Sequence, residues 1–74
     1  MTPTRLQECL RALRWSDDTL AEAFGCDPDL VEAWILGFEP IPSKAAAWIE
    51  TLARLHEAAE PEKPKSLKGK SYKP

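Results

Sequence analysis

Residues Gly25 to Gly37 read GCDPDLVEAWILG, and how this stretch folds decides the architecture of the chain. Asp27 is a good helix cap, because a short carboxylate accepts from the unpaired N–H groups of a first turn. Pro28 follows it, and proline suits the first helical position, where its missing N–H would be unpaired anyway. Leu30, Val31 and Trp34 then recur at helical spacing and make one apolar stripe. Gly25 before the helix and Gly37 after it supply the permissive backbone that a tight turn needs. The stretch therefore predicts a tight turn and a short helix. It carries three carboxylates, Asp27, Asp29 and Glu32, and no Lys or Arg.

Upstream the same grammar repeats. Ser16 caps a helix whose first turn holds Asp17 and Asp18, where negative charge favours the positive end of the dipole. Trp15 and Leu20, and likewise Cys26 and Val31, are spaced as hydrophobic staples across a helix start. Leu20, Ala21 and Phe24 face inward, and Gly25 ends that helix. The first helix begins at Thr2-Pro3, buries Leu6, Cys9, Leu10 and Leu13, and ends near Arg14-Trp15. Downstream, FEPIP (38–42) cannot be helical, because each proline pushes its predecessor out of the helical region. Ser43 is expected to cap a last helix reaching about Ala59, with Trp48, Ile49, Leu52 and Leu55 as its core face. The prediction is an all-α chain, a compact bundle of four to five short helices, with no strand.

Seventy-four residues, 43% hydrophobic with three Trp, make one small domain near the lower limit for a self-supporting core. That is too little to enclose a substrate cleft. No nucleophile–base set, phosphate-cradling glycine loop or metal spacing is present, so no enzyme activity, cofactor or metal is expected. Cys9 and Cys26 have no paired spacing of a zinc signature or disulfide framework and are read as small hydrophobes, and His56 as a helix-surface residue. No apolar run approaches the length of a membrane span, and the N-terminus lacks a signal-peptide pattern, so a soluble cytoplasmic protein is expected.

The net charge of −2 hides a division. Residues 1–60 hold eleven acids and five bases, whereas residues 61–74 hold one acid and five lysines, Lys63, Lys65, Lys68, Lys70 and Lys73. The tail, PEKPKSLKGKSYKP, has only Leu67 and Tyr72 as bulky apolar groups and cannot bury enough surface to offset its ordering entropy. The domain is expected to span 1–60, followed by a disordered basic tail over 61–74.

Short helices with a glycine turn between the second and third make the helix-turn-helix arrangement. LAEAFG (20–25), Val31, Trp34, Gly37 and PIP (40–42) leading into AAWIETLARL resemble the Cro/lambda-repressor-like (XRE-type) helix-turn-helix family over about residues 3–58. The resemblance implies a bacterial or phage transcription regulator that binds double-stranded DNA. It places base reading at Asp27, Pro28, Asp29, Glu32 and Ala33, where the family usually offers neutral polar or basic side chains. It places phosphate contacts near Ser43 and Lys44, and it sets Asp17 where many members hold a phosphate.

Two functions follow. In the leading one, a carboxylate reads cytosine by accepting from its exocyclic amine. Arg11, Arg14, Ser43, Lys44 and the tail lysines Lys63, Lys65, Lys68, Lys70 and Lys73 would hold the backbone, and a homodimer would double that thin set. In the alternative, Glu32, Ala33, Leu36 and Phe38 form an acidic and apolar strip that docks on a partner protein.

Overall fold

The computed structural model of the chain describes residues 1–72. Lys73, one of the expected phosphate contacts, lies outside the described residues. Four helices form: α1 (Pro3–Leu13), α2 (Asp17–Phe24), α3 (Pro28–Leu36) and α4 (Ser43–Ala59). No strand occurs among the described residues. The first three start on side chains that satisfy otherwise unpaired backbone donors. Thr2 accepts from the Arg5 N–H at 3.1 Å, Ser16 from Thr19 at 3.2 Å, and Asp27 from Asp29 at 2.9 Å.

The fourth start differs from expectation. Ser43 is already inside α4; Pro42 occupies the capping position, and no side chain caps the helix. Proline has the fixed φ that suits a helix entry, and the Ala46 N–H reaches the Pro42 carbonyl at 2.9 Å.

Gly25 and Gly37 end α2 and α3 in the left-handed conformation, with φ of 70° and 80°. Arg14 ends α1 the same way at φ 60°, and it is the one non-glycine residue with positive φ among those described. The Arg14 and Trp15 N–H groups close the helix on the Arg11 and Leu10 carbonyls. A side chain in this conformation carries a steric cost that glycine avoids.

Leu6, Leu20, Val31 and Ile49, one from each helix, are completely shielded from solvent and form the core with Cys9, Leu10, Ala21, Trp34 and Ala53. Trp15, Phe24, Cys26, Ile35 and Ile41 pack partly buried around it. Three residues expected to face inward do not. Leu30 is 39% exposed, Trp48 40% and Leu55 62%. On α4 the buried pair is Ile49 and Ala53; Leu55 is six positions past Ile49 and so about 120° round the helix from it.

Helices α1 and α4 run in the same direction. Arg5 near the start of α1 meets Glu50, whereas Arg11 and Arg14 at its end share a hollow with His56, Glu57 and Glu60. Beyond Ala53 every described residue is exposed, so α4 projects past the other helices. The basic segment continues as two 3-10 turns, Glu60–Glu62 and Lys65–Leu67, with nothing buried in either. This projection accounts for the 48 Å long axis and the radius of gyration of 15.2 Å, against about 11 Å for a globule of this length.

Leu20→Ala should lower stability by about 2–5 kcal/mol in urea denaturation, and Leu55→Ala by less than about 0.5 kcal/mol. Arg14→Gly should raise stability, by up to about 1 kcal/mol, since the relief of the left-handed conformation outweighs the added freedom of the unfolded chain.

Candidate interaction surface

Helices α2 and α3 pack on each other across the turn formed by Gly25, Cys26 and Asp27. The turn is closed by the Cys26 N–H, which donates to the Ala21 carbonyl at 2.9 Å. Burial of Val31 and Trp34 turns the opposite side of α3 outward: Asp27, Pro28, Asp29, Leu30, Glu32 and Leu36 are all exposed. Ala33, expected on that outer side, is half-buried.

From Asp17 to Glu39 the chain holds seven acids and no base. Four of them have a local role: Asp27 caps α3, and Asp17, Asp18 and Asp29 occupy first turns. Glu22, Glu32 and Glu39 have no such role. None of the ion pairs among the described residues includes any of the seven.

At the far end of α3 the backbone holds an apolar side chain out in water. Gly37 turns the chain, and the Phe38 and Glu39 N–H groups both donate to the Ala33 carbonyl, at 2.9 and 3.3 Å. With its backbone so fixed, Phe38 is 77% exposed, and Leu36 beside it 56%. Behind Phe38, a hollow of about 280 Å³ opens between the start of α1 and the α3–α4 loop, lined by Met1, Pro3, Trp34, Phe38, Glu39 and Ile41 among others. Pro3 forms one wall near Gly37, where an added Cβ would lie 3.9 Å from its ring, an ordinary van der Waals contact.

The cations are elsewhere. Arg5 is bound to Glu50 through two parallel hydrogen bonds, Nε to Oε1 at 2.7 Å and Nη2 to Oε2 at 2.8 Å. The Arg5 hydrogen bond, aided by its charge, holds the Glu50 carboxyl below the ordinary glutamate range. Arg11 and Arg14 line a shallow hollow of about 430 Å³ with His56, Glu57 and Glu60. Lys63 donates to Glu60 at 2.7 Å, and that bond, with weaker help from His56 and Arg14, lowers the Glu60 carboxyl. Of the expected phosphate contacts, Lys63 is therefore paired with a carboxylate, and Arg11 and Arg14 share their hollow with two. Ser43 and Lys44 are exposed at the first turn of α4, and Lys65, Lys68 and Lys70 are exposed in the tail. Burial pushes the Cys9 thiol up, which keeps it protonated.

One feature was not read from the sequence. Trp48 leaves the α4 core stripe and joins an aromatic row: Trp15 to Trp48 at 6.2 Å, Trp48 to Phe24 at 5.0 Å, and Phe24 edge-on to Trp34 at 6.1 Å. The sequence signal was available in Trp15 and Phe24, aromatics at the two ends of α2 that Trp48 touches together.

Compared with protein-family models, with curated proteins and with solved structures, the chain matches none.

Because the folded state holds Glu50 below its ordinary range, the pair adds stability that is present above that range and fades as pH falls through the lowered value. Glu50→Gln should therefore be less stable than the parent at neutral pH, and the gap should close in acid, below the ordinary glutamate range; denaturation midpoints across pH would measure it.

Proposed function

We propose that this chain is a protein-interaction module on a helix-turn-helix scaffold, in which the acidic, apolar face of α3 and the following loop docks on a basic partner with apolar side chains. The observation that carries the reading is the fixed exposure of Phe38 beside Leu36, on a stretch with seven acids and no base. Folding here leaves a large aromatic ring in water at a position its own backbone holds, which is how interface anchors are displayed. A phosphate backbone gains affinity from Lys and Arg, and this face offers none. Glu32 and Glu39 instead suit a rim that meets lysines or arginines, setting the specificity and rate of encounter more than the strength of binding.

A second reading keeps the function that the resemblance implies, sequence-specific DNA binding by a repressor-type regulator. The three-residue turn and the exposure of Asp27, Pro28, Asp29 and Glu32 favour it. Asp29 and Glu32 would face base edges, with Ala33 at the margin, and Lys44, Arg11 and the tail lysines would meet phosphates.

The two readings separate on full-length protein. In the first, Phe38→Ser and Glu32→Lys each weaken capture of a Lys-rich peptide containing leucine or tyrosine, by about tenfold for the anchor, while circular dichroism is unchanged. In the second, a gel shift on DNA flanking the reading frame shows sequence preference that Glu32→Ala alters. Each tail lysine that touches phosphate then adds about one to the salt slope. Peptide binding that ignores Phe38 sinks the first reading, and DNA binding without sequence preference sinks the second.

A further inference from the structure

The most exposed bulky side chain of the α3–α4 loop has a counterpart at the other end of the molecule. Phe38 stands out as a knob with Leu36 beside it and with Glu39 next in the chain. The tail forms a socket. Its two 3-10 turns enclose a hollow of about 640 Å³ whose walls include Pro61, Pro64 and Leu67, with Lys63, Lys65 and Lys68 around them. Leu67 is 65% exposed there, an apolar surface that the fold leaves uncovered. The socket is anchored at its root, because Lys63 closes on Glu60 through both its side chain and its backbone N–H. Apolar knob and acidic neighbours thus match apolar socket and basic neighbours in both polarity and charge.

A chain does not present its own knob to its own socket. Phe38 shares a hollow with Met1 and Pro3, at the start of α1. Glu60, where the socket begins, shares one with Arg11 and Arg14, at the end of α1. The two are separated by the length of that helix, about 16 Å, and the socket opens on the segment that projects away from the body. A second copy in antiparallel orientation would set each knob toward the other chain's socket. The same contact then forms twice about a two-fold axis, the closed arrangement common in homodimers.

We propose that the occupant of the Phe38 surface is the tail of a second copy of this chain: Phe38 of each copy seats among Pro61, Pro64 and Leu67 of the other, with Glu32 and Glu39 facing Lys65 and Lys68. The inference rests on the docking reading given above and names its partner. With two small, charge-rimmed contacts, the pair forms by mass action and is sensitive to salt, because at about 1 M the Debye length shrinks to about 3 Å.

Sedimentation equilibrium of the full-length chain, from micromolar to millimolar concentration, tests it. The expected result is a monomer–dimer equilibrium weakened by about tenfold or more by Phe38→Ser and by the double change Lys65→Glu with Lys68→Glu. All these positions are exposed, and circular dichroism should confirm intact helices. Mixing the lysine-reversed chain with a Glu32→Lys, Glu39→Lys chain should restore pairing, since both contacts of the mixed pair carry opposite charges, one as in the wild type and the other with its signs exchanged. A wild-type chain that stays monomeric, that grows beyond two copies, or whose pairing ignores these substitutions overturns the proposal. If the chain stays monomeric, or self-associates without dependence on Phe38, yet binds a Lys-rich peptide through Phe38, the docking surface stands and only the second copy is lost; if peptide binding ignores Phe38 as well, both fail.

Discussion

Four branched aliphatic side chains, Leu6, Leu20, Val31 and Ile49, have no contact with water, and each comes from a different helix. This shared burial is what makes one body of four short segments. None of α1, α2 or α3 is long enough to persist alone in water, since helices under about 12–15 residues are marginal without tertiary packing. The core they form is small, and its size explains the rest of the surface. With so few positions to fill, Leu30, Leu36, Phe38, Trp48 and Leu55 remain in contact with solvent.

The termini of the first three helices were legible because they depend on nearest neighbours. A Thr or Ser or Asp before a first turn, a proline inside it and a glycine after the last turn each answer a local hydrogen-bonding or steric demand, and Thr2, Ser16, Asp27, Gly25 and Gly37 all meet it. Ser43 shows the limit of that logic. It sits after a proline whose own geometry starts the helix, so its hydroxyl has no capping task. Arg14 shows another limit, for nothing local announces that an arginine will take the conformation that glycine usually occupies.

Which apolar residues would be buried was less legible, for a reason of geometry. Periodicity names a stripe, but a short helix touches its neighbours along a narrower line than the stripe covers. On α4 that line runs through Ile49 and Ala53, where the small side chain of Ala53 admits a neighbour closely, and leaves Leu55 to one side. On α3 it runs through Val31 and Trp34 and leaves Leu30 at the margin. The candidate surface was partly legible for the same reason: Glu32 lies on the side away from Val31 and Trp34, and it is exposed as their spacing implies. The direction of Phe38 was not legible, because it depends on two backbone donors converging on the Ala33 carbonyl.

The projecting end of α4 has a consequence for the lifetime of the molecule. Proteases select exposed chain with little packing, and from Arg54 to Tyr72 no described residue is buried. The lysines that stud this end make it open to cleavage by enzymes that cut after basic residues. A single cut after Lys65 would leave the core untouched, yet the formal charge would go from −2 for the whole chain to −5 for the part that keeps the core, since residues 1–65 carry twelve acids and seven bases. One hydrolysed peptide bond would thus turn a bipolar particle into a plain polyanion, a change that refolding cannot reverse.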